Sequence, residues 1–151
     1  MDAVTYPDEK VSGYINANLI PLRLQFDDKT HAENYKIKWT PTIIVLDTDG
    51  QESHRSVGFL ATDELIPALQ LGIGKAHFEA GRFDRAISAF DKLLEDHSGS
   101  EAAPEAIFYR GVATYKHTNN PKPLREVYDK LNAEYPDSEW TKKAHPYRLI
   151  D

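Results

Sequence analysis

The spacing of apolar positions changes character along the chain, from a mixture of helical and strand-like runs in the first third to helical spacing throughout the rest. Val11, Tyr14 and Ile15 recur at i, i+3, i+4, which predicts one face of a short helix, and Asp8 stands where a side chain accepts from its first free N–H groups. Pro7 stops the preceding residues, 2–7, as a turn or helix end. Leu19-Ile20-Pro21-Leu22-Arg23-Leu24-Gln25 is a short apolar run that predicts a strand, with Pro21 confined to its start or to an edge because it cannot donate to a ladder. Asp27 to Thr30 predicts a turn, with Thr30 or Asp28 capping a helix over 31–36. After Trp39-Thr40-Pro41-Thr42, the β-branched run Ile43-Ile44-Val45-Leu46-Asp47 predicts a buried strand. Asp47-Thr48-Asp49-Gly50 predicts a hairpin turn in which Gly50 takes the positive φ, and the more polar 51–57 predicts the returning strand, broken by Gly58.

From Thr62 onward the period is helical. Thr62, followed by Asp63 and Glu64, predicts a helix start with acids in its first turn. Pro67 has no N–H and clashes inside an established helix, so the pattern predicts a kink or a fresh helix there. The domain junction is expected near residues 66–70, dividing the chain into 1–68 and 69–151. Leu69, Ile73 and Ala76, then Phe83, Ala86, Ile87, Phe90 and Leu94, give the apolar faces of two helices, followed by a Gly99-Ser100 loop. Phe108, Val112 and Tyr115 mark a third helix; Asn120-Pro121 opens a fourth carrying Leu124, Val127, Tyr128 and Leu131, and Pro136 ends it. Ser138 is placed to cap a last short helix with Trp140 and Ala144, closed by Pro146.

Composition narrows the function classes. The 151 residues are 40% hydrophobic and 28% charged, the balance of a folded chain. No apolar run approaches the ~18–20 residues that span a bilayer. The N-terminus lacks the basic and apolar regions of a signal peptide, so a cytoplasmic setting is expected, or a periplasmic one if a further segment precedes Met1. Of the net charge of −6, residues 1–68 carry −5, from 6 basic and 11 acidic side chains, and no basic patch favours nucleic acid. With no cysteine the chain has no disulfide, no thiolate nucleophile and no thiolate metal site. The six histidines fall in no ligand spacing, and no P-loop, G-x-S-x-G or dinucleotide fingerprint occurs, so neither metal nor cofactor is expected. Acid pairs such as Asp8-Glu9, Asp27-Asp28 and Glu95-Asp96 fall at turns and helix ends, where capping accounts for them.

Two resemblances follow from these residues. Trp39-Thr40-Pro41-Thr42 before an apolar strand, then Asp49-Gly50, then Val57-Gly58-Phe59 and a helix, resemble the later part of a thioredoxin-like fold. The likeness covers about residues 1–68. Met1-Asp2-Ala3-Val4-Thr5-Tyr6 and Asp8-Glu9-Lys10-Val11 resemble the stretch that follows the Cys-x-x-Cys pair in that family. The resemblance implies a cis-proline at Pro41 and a peptide-binding loop at Trp39, Thr40, Pro41 and Thr42. On the residues alone, Pro41 can equally end a turn and Trp39 can serve packing. It also implies that the cysteines and an interior strand would lie upstream of Met1. Without that strand, the flanking strands close up, a neighbouring chain supplies one, or a longer protein carries it.

Gly74, Gly81, Phe83, Ala86, Phe90 and Leu94 have the spacing of small and aromatic positions in a tetratricopeptide repeat, with Gln70 and His77 at the usual tryptophan and tyrosine positions. Phe108-Tyr109-Arg110-Gly111, Tyr115 and Tyr128 give a looser second copy, with Pro123-Leu124 replacing the small alanine. The expected fold class is therefore α/β plus all-α: an incomplete thioredoxin-like α/β sandwich followed by tetratricopeptide-type helical hairpins. The function expected is a non-catalytic protein-interaction scaffold with a protein or peptide partner, including a homodimer through an open sheet edge. The alternative is a thiol–disulfide oxidoreductase whose cysteines are encoded upstream.

Overall fold

The computed structural model describes residues 1–151: seven α-helices, one 3-10 helix and a two-stranded antiparallel sheet. The molecule is mostly helical. In chain order the elements are α1 (Glu9–Asn18), α2 (Lys29–Asn34), β1 (Thr42–Leu46), β2 (Glu52–Val57), α3 (Thr62–Glu79), α4 (Phe83–Asp96), α5 (Ala103–Thr118), α6 (Lys122–Glu134) and α7 (Glu139–Ala144), closed by a 3-10 turn at His145–Leu149.

Local chemistry sets most of these boundaries. Asp8 accepts from the N–H groups of Lys10 and Val11 and so starts α1, Asp28 accepts from His31 N–H at α2, and Ser138 accepts from Trp140 N–H at α7. Asp47 accepts from the N–H groups of Asp49 and Gln51 at 2.9 and 2.8 Å, and Gly50 sits at φ +79°, which fixes the β1–β2 turn. The register pairs Thr42 with Val57 and Val45 with His54, then shifts by a bulge at Val45/Leu46. Ser53, buried beside the bulge, donates its hydroxyl to Val45 O or Gly72 O, which lie at 3.1 and 3.2 Å.

Three expectations are corrected. Leu19–Gln25 forms no strand: residues 20–24 make no backbone hydrogen bond, and Ile20 and Leu22 are 98% and 79% exposed. The run has strand composition but no strand beside it, and a strand's ladder bonds come from its neighbour. The α/β sandwich is consequently not formed, because two strands remain, α3 packs on them, and α2 packs on no other element. α3 does start at Thr62 with Asp63 and Glu64 in its first turn, as expected, Ala61 standing before it without a side-chain bond. The third concerns Pro67, which neither ends a helix nor begins one.

Pro67 lies buried inside α3, which runs unbroken from Thr62 to Glu79. A proline there costs about 3 kcal/mol. Burial on both sides offsets it. Leu65 and Leu69 join Val11 and Val45 in one cluster under the sheet, while Leu71 joins Phe90, Leu93 and Ala106 in another. Each fully buried leucine contributes about 1.5–3 kcal/mol. The helix is thus shared between the strand pair and the helical hairpins, and two glycines let it approach both. A Cβ on Gly72 would lie 2.6 Å from Val45 Cγ2, and one on Gly74 would lie 2.4 Å from Phe90 Cε1.

Candidate functional site

The C-terminal helices form successive hairpins. At the end of α3, Gly81 takes φ +71° while its N–H bonds to Phe78 O and Arg82 N–H reaches back to His77 O, so the chain reverses directly into α4. Phe90 of α4, fully buried, lies against Gly74 of α3, with Ala86 fully buried one turn earlier. The next hairpin repeats the arrangement: Val127 of α6 lies against Gly111 of α5, where a Cβ would come within 1.9 Å of Val127 Cγ2. In both hairpins the large residue follows its glycine by the same number of positions. The missing side chain lets the helix backbones close, and the bulky partner fills the space.

Helix α3 touches α5, and α5 touches α7, whereas α4 and α6 do not meet. The first helices of successive hairpins therefore form a continuous inner layer and the second helices stand apart outside it. A row of polar and aromatic side chains follows that layer. Lys75 Nζ of α3 bonds to Glu105 Oε1 of α5 at 2.9 Å, both side chains less than one-fifth exposed, and lies 5.3 Å from the Tyr109 ring centroid. Tyr109 meets Phe78 edge-on at 5.3 Å and Trp140 of α7 at 5.7 Å. Lys143 Nζ sits 3.8 Å from the Trp140 centroid. From β2, His54 feels Lys75 and Glu105; burial first, then Lys75, holds its imidazole below the ordinary histidine value. Burial likewise pushes the Glu79 carboxyl up.

Comparison with known families bears on this region. Residues 68–100 form a tetratricopeptide-like repeat. The match spans most of α3, all of α4 and the loop after it, so Gly74, Gly81, Phe83, Ala86 and Phe90 lie within it. No curated protein and no solved structure matches the chain. No helix is long and apolar enough to cross a membrane.

Ala86 and Phe90 lie in one buried cluster, with Phe83 packed on its margin. Tyr115 is 39% exposed at the end of α5. Tyr128 lines an open cleft between α6 and α7 with Asn132, Lys142 and His145, its ring 5.9 Å from that of His145. The four loop residues stand at the entry to β1: Trp39 is 67% exposed, Thr40 is exposed, Thr40–Pro41 is cis as the resemblance implied, and Thr42 Oγ1 donates to Trp39 O at 2.6 Å. No family match extends to this loop. The sequence reading missed the Lys75–Glu105 pair. Its partners lie thirty positions apart with no motif between them.

Proposed function

We propose that the chain is a non-catalytic protein-interaction scaffold whose partner docks on the inner layer of α3, α5 and α7. What carries this reading is the repeat at residues 68–100 together with the row Lys75, Glu105, Tyr109, Trp140 and Lys143 along adjoining inner helices. Stacked helical hairpins present extended faces to partners, and rows that mix rings with charges supply the anchors such interfaces use. Residues 69–151 form the recognition part in this reading, with Gly74, Gly81, Phe83, Ala86, Phe90 and Gly111 building it and Tyr115 and Tyr128 at its margins. Residues 1–68 resemble a thioredoxin-like portion in sequence alone, and in this reading their Trp39–Thr42 loop and unpaired β1 edge are secondary contact points, the edge including self-association.

The test is affinity capture with the whole chain, followed by Lys143→Glu, a change at an exposed side chain that leaves the packing intact. A partner held by the wild type and lost with Lys143→Glu supports the reading; retention unchanged by it, or no partner at all, refutes the inner layer as the surface. The oxidoreductase alternative rests on the resemblance alone. Thiol exchange needs a thiolate and this chain holds no cysteine, so insulin reduction by it is expected to be blank.

A further inference from the structure

The large apolar side chains that the fold leaves in water are unevenly shared along the chain. Of the eleven, nine lie between Val4 and Phe59, and Ile20, Leu22, Phe26, Trp39, Val57 and Phe59 are each more than half exposed. Two rows of backbone groups in the same region lack partners. Residues 20–24 make no backbone hydrogen bond, and the backbone of Thr42–Leu46 bonds only to β2, so the other edge of β1 is open. The turn at the N-terminus ties the run to the hairpin: Arg23 Nη2 donates to Asp2 Oδ2 at 2.7 Å, and Thr5 Oγ1 donates to Leu60 O at 2.9 Å, just beyond β2. There Gly58 N–H bonds to Pro41 O at 2.8 Å, so Val57 and Phe59 stand at the same end of the hairpin as Trp39.

The run has the pattern of an edge strand. Ile20, Leu22 and Leu24 alternate with Pro21, Arg23 and Gln25, which gives one apolar face and one largely polar face. Pro21 has no N–H and fits an edge strand with its backbone turned outward. Successive residues of a strand turn their backbone groups to opposite sides, so the free N–H and C=O groups of Ile20, Leu22 and Leu24 then face a neighbour. We infer that two copies of this chain associate by laying the Leu19–Gln25 run of each on the open β1 edge of the other. This contact rests on the self-association of the β1 edge in the scaffold reading and gives that edge its partner strand. One molecule holds both halves of the contact, so a two-fold pair satisfies run and edge with no third component, the same surface serving each copy. The apolar area is sufficient. Aromatic side chains offer about 150–250 Å² each, so Phe26, Trp39 and Phe59 together with the run expose on the order of 1,000 Å², and a stable interface takes about 800 Å² from each partner. Each copy carries −6, but charges farther apart than about 8 Å are largely screened at physiological salt.

The test is sedimentation equilibrium of the whole chain at physiological salt. The wild type is expected to dimerise with a Kd of about 100 μM or tighter. Leu22 is exposed, so Leu22→Asp should leave the unfolding of the single copy unchanged while it weakens the dimer by at least about tenfold, because the contact would bury an unpaired charge. A second pair of variants locates the contact. The chain has no cysteine, so Leu22→Cys and Leu46→Cys each carry a single thiol at an exposed position. In an equal mixture of the two, a short bis-maleimide should link one variant to the other. The inner layer of α3, α5 and α7 contributes no residue to this contact, so dimerisation reads the edge, capture with Lys143→Glu reads the layer, and either can fail alone. A Kd weaker than about 100 μM, a Leu22→Asp variant that dimerises as tightly as the wild type, or links between like variants only overturns the proposal.

Discussion

Replacing Gly111 by alanine tests directly how the hairpins close. In an exposed helix the change is favourable, by about 0.5–1 kcal/mol, because alanine loses less backbone entropy on folding. At Gly111 the new Cβ would sit 1.9 Å from Val127 Cγ2 and 3.3 Å from Pro123 O. The valine side chain can shift; the carbonyl, at the start of α6, cannot without moving the helix. Overpacking of this kind costs about 1–3 kcal/mol, which outweighs the propensity gain. Gly111→Ala should therefore destabilise the fold by about 1–2 kcal/mol, lowering Tm by roughly 2–8 °C for a chain of this size. Gly13 in α1 is the control: nothing lies within 4 Å of its Cβ position, so Gly13→Ala should stabilise by about 0.5–1 kcal/mol. Val127→Ala alone opens a cavity and costs about 2 kcal/mol, but it also makes room, so the double variant should be more stable than the two single losses added. The coupling expected is about 1–2 kcal/mol, read from urea midpoints of all four forms. Gly111→Ala more stable than wild type, or a double variant with no coupling, would refute the reasoning.

Further outcomes can be checked on the same material. Gln70→Leu removes a buried carboxamide oxygen that no group on the chain satisfies, so it should raise stability by about 1–2 kcal/mol in thermal unfolding; a loss would mean that the oxygen has a partner in solution. Glu105→Leu leaves the largely covered Lys75 ammonium without its carboxylate and should cost about 1–3 kcal/mol, shown by a lower urea midpoint. Burial holds the folded value of His54 below the ordinary 6.5, so the unfolded chain protonates first as the pH falls. Stability should be full above that value and decline below it, and His54→Asn should flatten part of the decline in urea midpoints followed from neutral pH downward. His77, also depressed by burial and then by Arg82 and Arg85, has the same sign and should account for some of the remainder.

Features under short-range control were legible along the chain. Asp8, Asp28 and Ser138 start helices through bonds two or three residues away, Asp47 and Gly50 close the hairpin within the turn, and the spacing of Gly74, Ala86 and Phe90 disclosed a repeat that family comparison finds at residues 68–100. Tertiary structure decided what depends on a distant partner. Leu19–Gln25 reads as a strand in composition, but its ladder bonds would have to come from another segment, and none lies beside it. Pro67 reads as a break, but burial of α3 against both the sheet and α4 outweighs a cost of about 3 kcal/mol, which no local pattern reveals. The Lys75–Glu105 pair exists only because α3 and α5 pack side by side although the two residues lie thirty positions apart. A residue's neighbours along the chain are fixed by covalent order, whereas its neighbours across an interface are fixed by which faces lose water together.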